Sequence, residues 1–192
     1  MKKMSLACLL GRYIKPDAYE IACSKRHFGF QHFSTQIIEI MEKEIKELIV
    51  TSSAFNNEGE IPAKYTCDGD EVSPPINVEE TPEGTKTLAI IMEDPDAPNG
   101  TFTHWLLWNI DPKSAYLDEQ TFQSVSGTNS ANQIGYYGPC PPSGSHRYYF
   151  HVYALDDGLD LEEGADRSEL ELAIEAHVLG KGSIMGRYKK QK

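Results

Sequence analysis

The chain has no long apolar run; nowhere does an apolar stretch approach the roughly 20 residues that cross a bilayer as a helix. It is short of positive charge, with 18 Lys and Arg against 29 Asp and Glu. The resulting net charge of -11 argues against sequence-independent binding to nucleic acid or to an anionic membrane surface. Cysteine is scarce too. Cys8, Cys23, Cys67 and Cys140 are too widely spaced for a zinc knuckle or a Cys-x-x-Cys pair, and the expectation they give is a reduced, cytoplasmic protein. There is no internal repeat, no Gly-rich phosphate loop, no Gly-x-Ser-x-Gly elbow and no His-Glu-x-x-His pair. Asp68, Asp70 and Glu71 lack the spacing of an EF-hand loop and read as a solvated acidic turn. No metal and no cofactor are expected.

What is present fits one domain of ordinary size, preceded by a segment of different composition. Residues 1–40 hold six Lys/Arg against three acids and carry +3, while the remainder carries -14. Met1-Lys2-Lys3 and the short apolar run to Leu10 look faintly like an export signal, but the run is at the short limit and has no small-x-small site behind it. Residues 1–40 are therefore expected to be an extension outside the core, or a misassigned start, with residues 41–192 forming the domain. Ser34 and Thr35 could cap a helix whose apolar side holds Ile37, Ile38, Met41, Ile45 and Leu48.

From residue 48 the pattern changes to short strands and stiff turns. Leu88 to Met92 delivers the chain into Glu93-Asp94-Pro95-Asp96-Ala97-Pro98-Asn99-Gly100, and Phe102 to Ile110 returns as a second strand. Proline fixes φ and biases the residue before it, so this loop's shape is written into its sequence. Strict alternation puts Phe102, His104, Leu106, Trp108 and Ile110 on one face, with His104 its one ionisable group. The design recurs at Gly138-Pro139-Cys140-Pro141-Pro142, which leads to a strand whose inner face begins at His146 and continues through Tyr148, Phe150, Val152 and Ala154. Arg147 falls on the other face, where a structural salt bridge is expected. Near the end, Asp166 and Glu169 have the form of a capping box. Leu170, Ala173, Ile174, His177 and Val178 make the helix stripe, Gly180 its stop, and residues 183–188 a last strand. His177 is read as a locally hydrogen-bonded boundary residue. Many short strands and little helix favour an antiparallel β-sandwich of two packed sheets with a few peripheral helices.

These stretches resemble the phosphatidylethanolamine-binding protein family, and more narrowly its bacterial Raf-kinase-inhibitor-like branch. The resemblance rests on Asp94-Pro95-Asp96-Ala97-Pro98, on His104-Trp105, and on Gly138 to Pro142 followed by His146-Arg147-Tyr148. It rests also on Tyr65-Thr66-Cys67-Asp68-Gly69, on Ser73-Pro74-Pro75 and on the closing helix and strand. It implies a mainly β fold with one shallow cavity at the strand ends, lined by Asp94, Asp96, Ala97, His104, Gly138, Pro139, His146 and Tyr148. The function it implies is binding of a small anion, either phosphate or a phosphorylated headgroup. A kinase or protease is the protein partner that eukaryotic members suggest.

Residue chemistry is consistent with that site. An oxyanion needs N–H donors, and imidazolium is an orientable donor near neutral pH. Asp94 and Asp96 would either hold a histidine in its donating form or be protonated themselves and donate. The rival reading is a hydrolase that uses the Asp/His pocket for acid-base chemistry, with Ser143 or Ser145 as nucleophile and Cys140 as a candidate thiol.

Overall fold

The computed structural model describes residues 44–113, 116, 117, 119 and 124–191. Nine strands occur among them: β1 (Lys46–Glu47), β2 (Ile49–Thr51), β3 (Ile76–Glu79), β4 (Thr87–Asp94), β5 (Phe102–Ile110), β6 (Tyr116–Leu117), β7 (Val125–Ser126), β8 (His146–Leu155) and β9 (Val178–Tyr188). One α-helix, α1 (Arg167–His177), lies between β8 and β9. A six-stranded sheet runs in the order β1-β9-β8-β4-β5-β7, and a three-stranded sheet in the order β2-β3-β6. Every pairing is antiparallel except the parallel edge of β1 on β9. The mainly β expectation holds. No helix among the described residues is long and apolar enough to cross a membrane.

The six-stranded sheet is apolar on both faces, so β4 is buried along nearly its whole length. On one face Leu88, Ile90, Met92, Tyr148, Phe150, Val152 and Ala154 form a core cluster that also takes in Val50, Ile76 and Val78 of the smaller sheet. On the other, Ala89, Ile91, Leu106 and Trp108 meet Leu170 and Ile174 of α1. The helix starts as its sequence directs. Asp166 accepts from the Glu169 amide, and the Glu169 carboxylate accepts from the Asp166 amide.

Two bulges correct the alternation expected for β5. Met92 pairs with Trp105 while Glu93 pairs with Thr103, so His104 is an extra residue with no partner opposite. A second shift follows, because Leu88 pairs with Ile110 but Ile90 with Leu107, and Asn109 there adopts φ 56°. Leu106 and Trp108 consequently face the helix, whereas Trp105, Leu107 and Ile110 join the other cluster. His104 and Trp105 thus project from the same side of the sheet.

Two further expectations are revised at the chain's edges. The proposed helix near Ile37 lies mostly outside the described residues, and where it would reach Ile45 and Leu48 the chain is the extended edge β1. At the other end, α1 stops at His177 and β9 begins at once with Val178. Gly180 is not the helix stop but a point of close approach, where a Cβ would lie about 3 Å from Leu48, Pro82 and the Lys46 carbonyl. His177 behaves as expected, its Nδ1 bonded to Asp156 at 2.8 Å.

Candidate functional site

Asp94 ends β4 and His146 begins the neighbouring β8, so the antiparallel pairing of these strands brings them together. Asp94 is buried and uses both oxygens as acceptors. Its Oδ1 takes the Asp96 amide at 2.8 Å, an Asx-type turn that sets the loop, and its Oδ2 takes Nδ1–H of His146 at 2.7 Å. Asp96 turns the other way. Its carboxylate accepts from the Arg147 amide and Nε at 2.9 Å each and from Nη2 at 2.7 Å. The Arg147 side chain is the main reason the Asp96 carboxyl is held at about 2, and the Arg147 amide adds to it. One loop therefore grips both opening residues of β8, and Arg147 makes the structural salt bridge expected of it.

His104 is positioned by its bulge. Nδ1 bonds the Tyr137 carbonyl at 2.7 Å, and the Tyr137 amide returns a bond to the His104 carbonyl at 3.0 Å. A carbonyl can only accept, so Nδ1 carries the proton and Nε2 is the nitrogen left over. Burial lowers the His104 pKa below its ordinary 6.5, only partly offset by the Tyr137 carbonyl and Asp94. The ring meets Tyr148 edge to face at 5.2 Å. The Tyr148 hydroxyl is buried beside Asp94. Burial first, and the negative charge of Asp94 second, push its pKa up.

These groups line a cavity of about 190 Å³. Of the eight residues the sequence suggests, Asp94, Ala97, His104, His146 and Tyr148 are in the lining. Asp96 is not; it anchors the loop. Gly138 and Pro139 stand behind the wall: the Gly138 amide bonds Glu71 at 3.1 Å and the Pro139 carbonyl accepts from the Cys67 amide at 3.2 Å. A Cβ on Gly138 would come within 3.1 Å of the Thr66 backbone, a closer approach than most side chains make. Ser143 and Ser145, the candidate nucleophiles, are exposed and outside the lining.

Sequence reasoning missed Pro98, Phe102, Tyr137, Pro141 and Pro142 as lining residues, and Cys140 as part of a cross-link. Phe102 was readable from its alternation with His104; Tyr137 ends a long aperiodic connection and carried no signal. Cys140 is joined to Cys67 in a disulfide with Cα atoms 5.4 Å apart. That overturns the expectation of reduced cysteines and removes its support for a cytoplasmic location. Among the described residues no group of three or more His, Cys, Asp or Glu side chains is placed to hold a metal.

Comparison with known proteins gives a consistent picture. The sequence model of the family described as phosphatidylethanolamine-binding protein matches residues 51–189. A UPF0098 protein of Methanothermobacter thermautotrophicus is 47% identical over 71% of this chain and 95% of its own length. Another, from Archaeoglobus fulgidus, is 48% identical over 79% of this chain, which spans only 54% of that relative. A crystal structure from Chlamydia trachomatis, described as a homologue of phosphatidylethanolamine-binding protein, is 40% identical. It superposes with a TM-score of 0.72 over 76% of this chain and 99% of its own.

Proposed function

The chain belongs to the phosphatidylethanolamine-binding protein family, and on that premise we propose that its cavity binds a small dianion, phosphate or a phosphorylated headgroup, without turning it over. The observation that carries this reading is the common tethering of the two histidines. Each lines the cavity and has Nδ1 committed to a fixed acceptor, the Tyr137 carbonyl for His104 and Asp94 for His146. Nε2 is the nitrogen each can offer to a ligand, and a proton there makes it a charge-assisted donor. The Tyr148 hydroxyl, from the same lining, is a third donor.

The two carboxylates are compatible with an anion in this cavity. Asp94 accepts on both oxygens and serves as the orienting partner of His146, as carboxylates commonly orient imidazoles. Asp96 is ionised and spent on Arg147, so it neither donates to the ligand nor repels it from the lining. Size supports a small ligand. The cavity offers the room of about six waters, well below the roughly 300 Å³ at which drug-sized pockets begin.

Binding carries a proton with it. His104 is neutral at neutral pH in the free protein, and a bound dianion favours the imidazolium. Calorimetry with inorganic phosphate on the wild type and on His146→Gln is the test. Binding that weakens in the variant and consumes protons supports the reading; absence of any binding to the wild type overturns it. The hydrolase alternative is addressed by phosphomonoester and carboxylic ester substrates. Saturable turnover that vanishes in a His104→Ala, His146→Ala double variant would replace the binding module with an enzyme.

A further inference from the structure

The Cys67–Cys140 disulfide lies where the binding wall meets the rest of the molecule. Cys140 lines the cavity, and both cysteines are half-buried, so the bond is within reach of a small thiol. The environment of the two sulfurs is unequal. Lys190 Nζ lies 3.6 Å from the Cys140 Sγ. The chain on either side of Lys190 is anchored, because the Tyr188 hydroxyl and the Gln191 amide both bond to Asp68 Oδ2, next to Cys67. An ammonium held beside one sulfur makes that sulfur the better leaving group in thiol–disulfide exchange.

We infer that the Cys67–Cys140 bond is an exchangeable disulfide that switches the cavity between a binding state and a non-binding state. This rests on the anion-binding reading above. A dithiol reductant supplies the electrons. Its thiolate attacks Cys67 Sγ, the S–S bond breaks, and its electron pair departs with Cys140 Sγ as a thiolate beside Lys190. The reductant's second thiol loses its proton to solvent, and the resulting thiolate attacks the mixed disulfide. The reductant closes to its own disulfide, and Cys67 leaves as a thiolate that takes a proton from water. Two electrons have moved from the dithiol to the protein.

The consequence follows from charge. The oxidised bond is neutral, whereas the reduced wall presents the Cys140 thiolate to a cavity that already contains Asp94 and whose cationic capacity is His104 and His146. One added like charge at contact distance, at the effective dielectric of a partly exposed site, weakens a dianion by roughly tenfold or more.

The test uses the full chain and inorganic phosphate as the probe, titrated by calorimetry into oxidised protein and into protein reduced with dithiothreitol. The expected result is at least about tenfold weaker binding after reduction and the same loss in Cys67→Ser, which frees Cys140. The Cys67→Ser, Cys140→Ser double variant, which has no thiolate to present, should bind more tightly than Cys67→Ser and ignore dithiothreitol. Equal affinity in the two redox states overturns the switch and leaves the anion reading intact; no binding in either state overturns both. Equal weakening in the double variant overturns the charge mechanism. Exchange on folded wild-type protein with glutathione, mapped by peptide mass spectrometry, tests the direction of attack without any variant. The adduct is expected on Cys67, with Lys190→Gln evening the distribution, and an adduct mainly on Cys140 overturns the assignment.

Discussion

Replacing Asp96 with asparagine removes the one charge that Arg147 grips with its amide and two guanidinium nitrogens. The native carboxyl is held at about 2 against an ordinary 3.8, chiefly by the Arg147 side chain. Undiluted, that difference corresponds to roughly 2 kcal/mol. The Arg147 side chain is 42% exposed and that of Asp96 is 29% exposed, so solvent screening brings the expected loss to ~1 kcal/mol at neutral pH. The sign of the pH dependence is fixed by the lowered value. The contribution is complete above the unfolded pKa of 3.8 and disappears as the pH falls from there to about 2. Urea denaturation of wild type, D96N, R147M and the double variant, run at pH 7 and at pH 3, reads this as a coupling energy that shrinks on acidification. Phosphate affinity should fall far less in D96N than in H146Q, because Asp96 stands outside the lining. A coupling of zero at pH 7, or a loss of affinity matching that of H146Q, would refute the assignment of Asp96 as the anchor of the loop.

Three further outcomes are expected. Removing the disulfide with Cys67→Ser and Cys140→Ser opens a loop of sequence separation 73 and should cost up to about 4 kcal/mol, seen as a lower thermal midpoint; an unchanged midpoint would mean the wall is held without the bond. Gly182→Ala would place a Cβ 2.3 Å from the Leu48 carbonyl oxygen, at the junction of β1 and β9, and should destabilise the fold by ~1–3 kcal/mol in urea, with no change contradicting that packing. His104 has a lowered folded pKa, so the free protein should lose stability as the pH falls through 6.5. Saturating sulfate, a dianion throughout this range, should reduce the loss. Its affinity should rise about tenfold per pH unit on acidification between the liganded and free pKa values, and a flat profile would remove His104 from the site.

How far the sequence could be read depended on whether the strands kept their period. β8 pairs with β9 without interruption from His146 to Ala154, so plain alternation placed His146, Tyr148 and Phe150 on the inner face and Arg147 opposite. β5 breaks its period twice, and grouping Leu106 and Trp108 with His104 was therefore wrong. The second break carried a faint mark, since Asn109 is of a type that tolerates positive φ; the first, at His104-Trp105, carried none. The Asp94 loop was recognisable as stiff, but which carboxylate it would aim inward depends on the turn closed by the Asp96 amide. Cys67 and Cys140 are brought together by loops that have no periodicity to read. Gly180 was taken for a helix stop because glycine serves both ends, and the β-branched Val178 was the better sign that a strand had begun.

The most direct test of the anion site is to follow the imidazole resonances of His104 and His146 by NMR while inorganic phosphate is added. The tethered-histidine geometry predicts that both shift with one saturating midpoint, that the His104 pKa moves up on binding, and that the Nε2 positions acquire protons. Resonances of both histidines that stay in place while phosphate saturates elsewhere on the protein would contradict it.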